Sequence, residues 1–248
     1  MTDKTTHFGF REVATGDKEK LVGQVFTSVA GKYDLMNDLM SGGIHRLWKR
    51  HFVASSGIRE GQRVLDLAGG TGDIAKLLMP LVGTSGEVII GDINQAMLEV
   101  GRDRMIDAGY HGRFSIQQMN AEELPFEDNS LDAITMAFGL RNVTNKQQAL
   151  NEMYRTLKPG GKAMVLEFSR VNNTLLRQLY QFYSFKILPE IGHWVTNDRD
   201  SYQYLVESIE QHPDQLTLQN MFEEAGLEMC DHENLSAGIV AIHKGYKL

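Results

Sequence analysis

Cysteine is scarce in this 248-residue chain, which has one, Cys230. A lone thiol excludes an internal disulfide framework and a cysteine zinc site. Its setting, Leu227-Glu-Met-Cys230, reads as a buried strand rather than a nucleophile's turn. No run approaches the roughly 18 apolar residues that a membrane span needs. The opening residues, Met1-Thr-Asp-Lys-Thr-Thr-His-Phe8, lack the apolar core of a signal peptide and the Arg-rich pattern of an organellar presequence. A cytoplasmic protein is therefore expected. Basic charge is not in excess either: 25 Lys and Arg against 32 Asp and Glu leave a net charge of −7. Nucleic-acid phosphates need a basic patch, so a nucleic-acid partner is disfavoured. The local cluster His45-Arg46-Leu-Trp-Lys49-Arg50-His51 reads as a solvated helix face. The eight histidines form no metal-like cluster, and no metal site is expected. Repeats, low-complexity segments and a clear domain boundary are all missing.

What is present is a glycine turn. Arg63-Val-Leu-Asp-Leu67 is a short apolar strand. Gly69, Gly70 and Gly72 follow within four positions, with Thr71 between them, and Asp73 to Leu81 reads as a helix. Strand, glycine turn and helix bring main chain close to a nucleotide-like ligand in an open α/β sheet. Residues 1–20 are polar and read as mobile. Leu21, Val25, Phe26, Val29 and Ala30 share one helical face, and a second helix is expected from His45 to Ser55. Together these form an N-terminal cap over residues 1–60. Tyr33 is a candidate site-lining residue, with core packing as the alternative.

Strands are expected at 87–92, 113–118, 131–137 and 162–168. Between them lie a helix N-capped by Asn94 and another from Lys146 to Leu157, stopped by Lys158-Pro-Gly-Gly161. This alternation predicts an α/β, doubly wound, mostly parallel sheet. Residues 172–212 break it as a helical insertion, aromatic and apolar on more than one face: a candidate lid, dimer contact or lipid-facing surface. A helix from Gln215 to Ala225 ends at Gly226. Two strands, 227–232 and 237–244, close the sheet as an antiparallel pair. The whole reads as one domain.

Asp92 ends the second strand, placed to accept both ribose hydroxyls of an adenosine. That fits NAD and S-adenosylmethionine equally. Asn120 and Ala121 are candidates for the adenine edge, with a local Asx-turn as the alternative.

The choice comes from resemblance. Val64-Leu-Asp-Leu-Ala-Gly-Gly-Thr-Gly72, Gly91-Asp92, Asn120-Ala-Glu-Glu-Leu-Pro-Phe126 and Leu157-Lys-Pro-Gly-Gly161 resemble class I S-adenosylmethionine-dependent methyltransferases. Lys32-Tyr-Asp-Leu-Met-Asn-Asp38, Phe138-Gly-Leu-Arg-Asn-Val143, the aromatic insertion and Ala237-Gly-Ile-Val-Ala-Ile-His-Lys-Gly-Tyr246 resemble the UbiE family of ubiquinone/menaquinone biosynthesis C-methyltransferases, over residues 20–248. The resemblance implies a seven-stranded Rossmann-like methyltransferase sheet. It implies S-adenosyl-L-methionine as cofactor, held by the glycine turn, Thr71, Asp92, Asn120, Ala121 and position 137. Family members often have Ser at that position, and this chain has Ala137. It also implies C-methylation of a polyprenylated benzoquinol and of demethylmenaquinol. Such a substrate brings peripheral contact with the inner face of the cytoplasmic membrane into view, with a homodimer and other quinone-biosynthesis enzymes as candidate partners. Ala68 stands where wider methyltransferases have glycine, so negative φ is expected there. Arg141 is expected to stabilise a developing phenolate, with a structural salt bridge as the alternative. Asn142 is expected to orient the ring.

Overall fold

A computed structural model describes residues 5–29, 37–38, 41–171, 178, 183, 186, 190 and 199–248. The inner strands of the sheet carry buried apolar runs. β3 (Arg63–Leu67) buries Val64 and Leu65 completely and leaves Leu67 1% exposed. A strand covered on both faces belongs inside a parallel sheet. β4 (Glu87–Asp92), β5 (Phe114–Gln118), β6 (Leu131–Ala137) and β7 (Leu157–Phe168) pair in parallel with it, in the order β5-β4-β3-β6-β7. β9 (Val240–Tyr246) then adds antiparallel to β7, and β8 (Glu228–Leu235) antiparallel to β9, giving seven strands.

Helices cover both faces. α2 (His45–Ala54), α3 (Asp73–Val82) and α4 (Gln95–Asp107) lie with one core, where Phe52, Leu78, Leu98 and Met105 meet Val64 and Ile90. α5 (Lys146–Thr156) and α7 (Gln215–Glu224) lie with the other, where Met153 and Phe222 meet Leu65 and Leu67. Asn94 caps α4 by accepting the Met97 N–H at 3.1 Å. Gly226, at φ +96°, ends α7, a left-handed backbone that glycine adopts without strain.

Most sequence boundaries agree with the structure to within a few residues. The N-terminus does not. Residues read as mobile include a hairpin, β1 (Thr5–Phe8) with β2 (Arg11–Ala14), and α1 begins at Thr15 and runs to Val29. The hairpin holds because Phe8 is buried with Val22 and stacks on Tyr204 of α6 (Arg199–Glu210) at 4.2 Å. One aromatic anchor outweighs a polar composition. Most of the insertion's apolar stripe, Leu175, Leu176, Leu179, Phe182 and Phe185, lies outside the described residues. Tyr183 packs, partly buried, against the main core.

Candidate active site

Two adjacent strand ends build the site. β3 runs into Ala68, and β6 runs into Phe138. Both residues have positive φ, +53° and +58°. This corrects the expectation of negative φ at Ala68. The strand must turn sharply there, and its next residue is packed too closely to share the bend. A Cβ on Gly69 would lie 2.8 Å from the Asp66 carbonyl oxygen and 2.8 Å from the Ile90 side chain. Gly72, at φ +79°, is the N-cap of α3.

These ends open into a pocket of about 1080 Å³ including its mouth. Of the residues singled out in the sequence, Gly69, Gly70, Thr71, Asp92, Asn120, Ala121, Ala137 and Asn142 line it. Gly72 and Arg141 are not among the lining residues, and Tyr33 lies outside the described ones. α1 covers the pocket with Glu19, Val22, Gly23 and Phe26. It is fastened by Asn94, whose amide donates to the Gly23 carbonyl at 3.1 Å and the Thr27 hydroxyl at 3.0 Å.

Asp92 accepts the Gly70 N–H at 2.9 Å and the Asn94 N–H at 2.8 Å. Burial pushes its carboxyl up to about 6, against the pull of those backbone donors. Asp66, fully buried, accepts from the Thr135 hydroxyl at 3.1 Å and the Ala75 N–H at 3.0 Å. Burial pushes it up to about 7. Asn120 forms the Asx-turn, its side-chain oxygen accepting the Glu122 N–H at 2.9 Å. It also lines the pocket, so its amide N–H groups are the donors left for a ligand.

Arg141 is buried. It donates to Glu167 at 2.9 Å and to the Phe138 carbonyl, and its guanidinium lies 5.6 Å from the Phe168 ring centre. The salt-bridge alternative describes this geometry. Asn142 differs, since its side-chain oxygen accepts from the Tyr204 hydroxyl at 2.9 Å while the residue itself lines the pocket.

Sequence reasoning missed Lys49, Asp66 and Asp73, which also line the pocket. The basic cluster is not one solvated face. His45, Trp48, Lys49, Phe52 and Val53 are the buried side of α2, and Lys49 reaches Asp73 at 2.7 Å. The i, i+3, i+4, i+7, i+8 spacing of those five was the available signal. Tyr154 and Lys158, spaced like a hydride-transfer pair, are not among the residues lining the pocket. Lys158 pairs with Asp132, and the Tyr154 ring lies 4.6 Å from the Lys247 amine. Among the described residues no group of His, Cys, Asp and Glu could hold a metal ion.

A five-strand parallel run extended by an antiparallel β9 and then by β8, antiparallel to β9, with a glycine turn after β3 and an acid ending β4, is the architecture of class I methyltransferases. A SAM-dependent methyltransferase from Aquifex aeolicus has this fold at a TM-score of 0.63 and 16% identity, over 87% of this chain and 98% of its own. Residues 14–247 match the ubiE/COQ5 methyltransferase family, and the chain belongs to that family. The ubiquinone/menaquinone biosynthesis C-methyltransferase UbiE of Xanthomonas campestris is 60% identical over all of this chain and 98% of its own length. The protein of the same name from Stenotrophomonas maltophilia is 61% identical over 98% of this chain and 96% of its own.

Proposed function

We propose that this chain moves a methyl group from S-adenosylmethionine to a ring carbon of a polyprenylated benzoquinol, and of demethylmenaquinol. The observation that carries the proposal is one pocket lined both by the glycine turn with Asp92 and by Phe138, Gly139 and Asn142. The residues present fit the cofactor. Gly69 and Gly70 line the pocket, and glycine offers a ligand main chain with no side chain in the way. Asp92 offers a carboxylate to the ribose hydroxyls. Lys49 and the N-terminus of α3 offer positive charge to the cofactor's amino-acid carboxylate, and Asp66 offers an acceptor to its ammonium.

Bound there, the cofactor supplies an electrophilic methyl on a sulfonium. The protein's task is alignment and exclusion of water, worth up to about 10 kcal/mol when the reactants are held in line. α1 closes the pocket beside the glycine turn. Asn142 orients the ring. Its oxygen is occupied by Tyr204, so its amide N–H groups face the substrate oxygen that develops negative charge. Arg141 holds the turn carrying Asn142 and contributes its field from behind, paired to Glu167. A quinol ring attacks through carbon once the neighbouring hydroxyl begins to lose its proton. A phenol titrates near 10, so nearby donors matter. An isoprenoid tail on the substrate supports a reading in which the chain works at the inner face of the cytoplasmic membrane. No helix among the described residues is long and apolar enough to cross one.

The test is a methyl-labelled S-adenosylmethionine assay in extract from a strain lacking its own quinone C-methyltransferase. The expected result is labelled, once-methylated quinol and loss of the accumulated precursor. Intact cofactor binding with no labelled quinol would overturn the substrate assignment.

A further inference from the structure

Asn142 and the adenine-side turn belong to different β–α connections, and one side chain ties them together. Glu122 lies two residues beyond Asn120 and itself lines the pocket. Its Oε1 accepts the Thr144 N–H at 3.1 Å and the Asn145 N–H at 3.0 Å. Its own N–H is held by the Asn120 side chain at 2.9 Å, and its carbonyl accepts from Gln148 at 3.4 Å. Two backbone donors converging on one carboxylate oxygen are charge-assisted bonds, about twice as strong as neutral ones. They fix the chain between Asn142 and the start of α5.

The same place is braced from α1. Lys18 and Lys146 both donate to the Val143 carbonyl, at 3.3 and 3.2 Å. Burial pushes both amines down, Lys146 to about 8, and each feels the negative charge of Glu122. Glu122 thus stands where the cofactor-side turn, the substrate-side segment and the covering helix meet.

We infer that Glu122 is a positioning residue that passes occupancy of the adenosine end to the Leu140–Asn145 segment, setting Asn142 for the quinol only when cofactor is bound. Any movement of Asn120 or Ala121 on a ligand pulls on Glu122. The two N–H···O bonds carry that pull to Thr144 and Asn145, next to Asn142. The inference rests on the S-adenosylmethionine reading above.

Hydrogen exchange on the full chain, with and without S-adenosylhomocysteine, tests it. In the parent protein, ligand is expected to slow exchange at residues 68–72 and, by about threefold or more, at the Asn142 and Val143 amides. Those two donate to Gly139 and Leu140 rather than to Glu122, so losing the carboxylate does not expose them directly. In Glu122→Ala the effect at 68–72 persists and the effect at Asn142 and Val143 disappears. Glu122→Gln keeps an acceptor oxygen and restores most of it. In turnover, Glu122→Ala lowers kcat about tenfold with the KM for S-adenosylmethionine within about twofold, as expected for a group acting on positioning. Ligand-dependent protection at Asn142 and Val143 that survives in Glu122→Ala would overturn the inference while leaving the cofactor assignment intact. Absence of any ligand effect in the parent protein would overturn both.

Discussion

Asn142 and Arg141 are neighbours with different expected phenotypes. Arg141→Ala leaves the Glu167 carboxylate, 1% exposed, without its cation and with only the backbone N–H groups of residue 141 and Phe168 as donors. Breaking such a pair costs about 3–5 kcal/mol, so lost activity should come with a large drop in denaturation midpoint. Asn142→Ala removes a pocket donor and leaves only the Tyr204 hydroxyl without its acceptor. It should lower turnover by one to two orders of magnitude while costing about 1–3 kcal/mol of stability. Measuring kcat beside urea denaturation separates the two. Asp92→Asn should weaken S-adenosylhomocysteine binding by about tenfold or more, because charge-assisted bonds to the ribose become neutral ones; calorimetry reads this directly. Ala68→Gly acts on the strained turn, where a left-handed alanine costs about 1–2 kcal/mol. Offset by the greater freedom of glycine in the unfolded chain, the substitution should stabilise by up to about 1 kcal/mol in denaturant titration.

The glycine turn is seated on a helix as well as on a strand. A Cβ at Gly101 of α4 would lie 2.5 Å from the Gly70 carbonyl oxygen and 3.2 Å from the Thr71 carbonyl carbon. Gly101→Ala should therefore push α4 away from the turn. Overpacking of this kind costs about 1–3 kcal/mol, and a weakened affinity for S-adenosylhomocysteine should accompany the lower melting temperature. Nothing in the chain's periodicity marked Gly101, because the constraint comes from backbone on another element. The same reason hid the bend at Ala68. β3, β4 and β6 were legible because burial on both faces demands apolar runs, and Asp92 was legible because it ends one. The buried side of α2 was legible too, at helical spacing, but the number of charges obscured it. Arg141 was left between phenolate stabilisation and a structural salt bridge because a cation at a strand's carboxyl edge looks ligand-facing until its partner is known. That partner, Glu167, is 26 residues further along the chain.

At the scale of the whole molecule, Asp66 and Asp92 on one side and His212 and His243 on the other shift in opposing senses. Asp66 and Asp92 are raised by burial to about 7 and about 6. Acids raised in the folded state favour folding at low pH, and that contribution disappears as pH rises through those values. His212 and His243 are lowered by burial from 6.5, His243 to about 4. Bases lowered in the folded state favour folding above 6.5, and that contribution is lost as pH falls toward their folded values. The ligand-free melting temperature should therefore change little between pH 7 and 5. Ligand binding needs the ionised form of Asp92, so affinity should fall by about tenfold per pH unit below 6. The rise in melting temperature caused by S-adenosylhomocysteine should shrink accordingly; paired thermal scans check both statements. Among the described residues the sheet ends at β8, which pairs with β9 on one side only. An unpaired strand edge is a template for adding another molecule's strand. β8 carries Glu228, Asp231 and Glu233 and has an irregular register between Glu228 and Asp231, with Met229 at φ +50°. Like charges and a broken hydrogen-bond ladder make that border a poor template, so the margin of the sheet guards the chain against edge-to-edge aggregation.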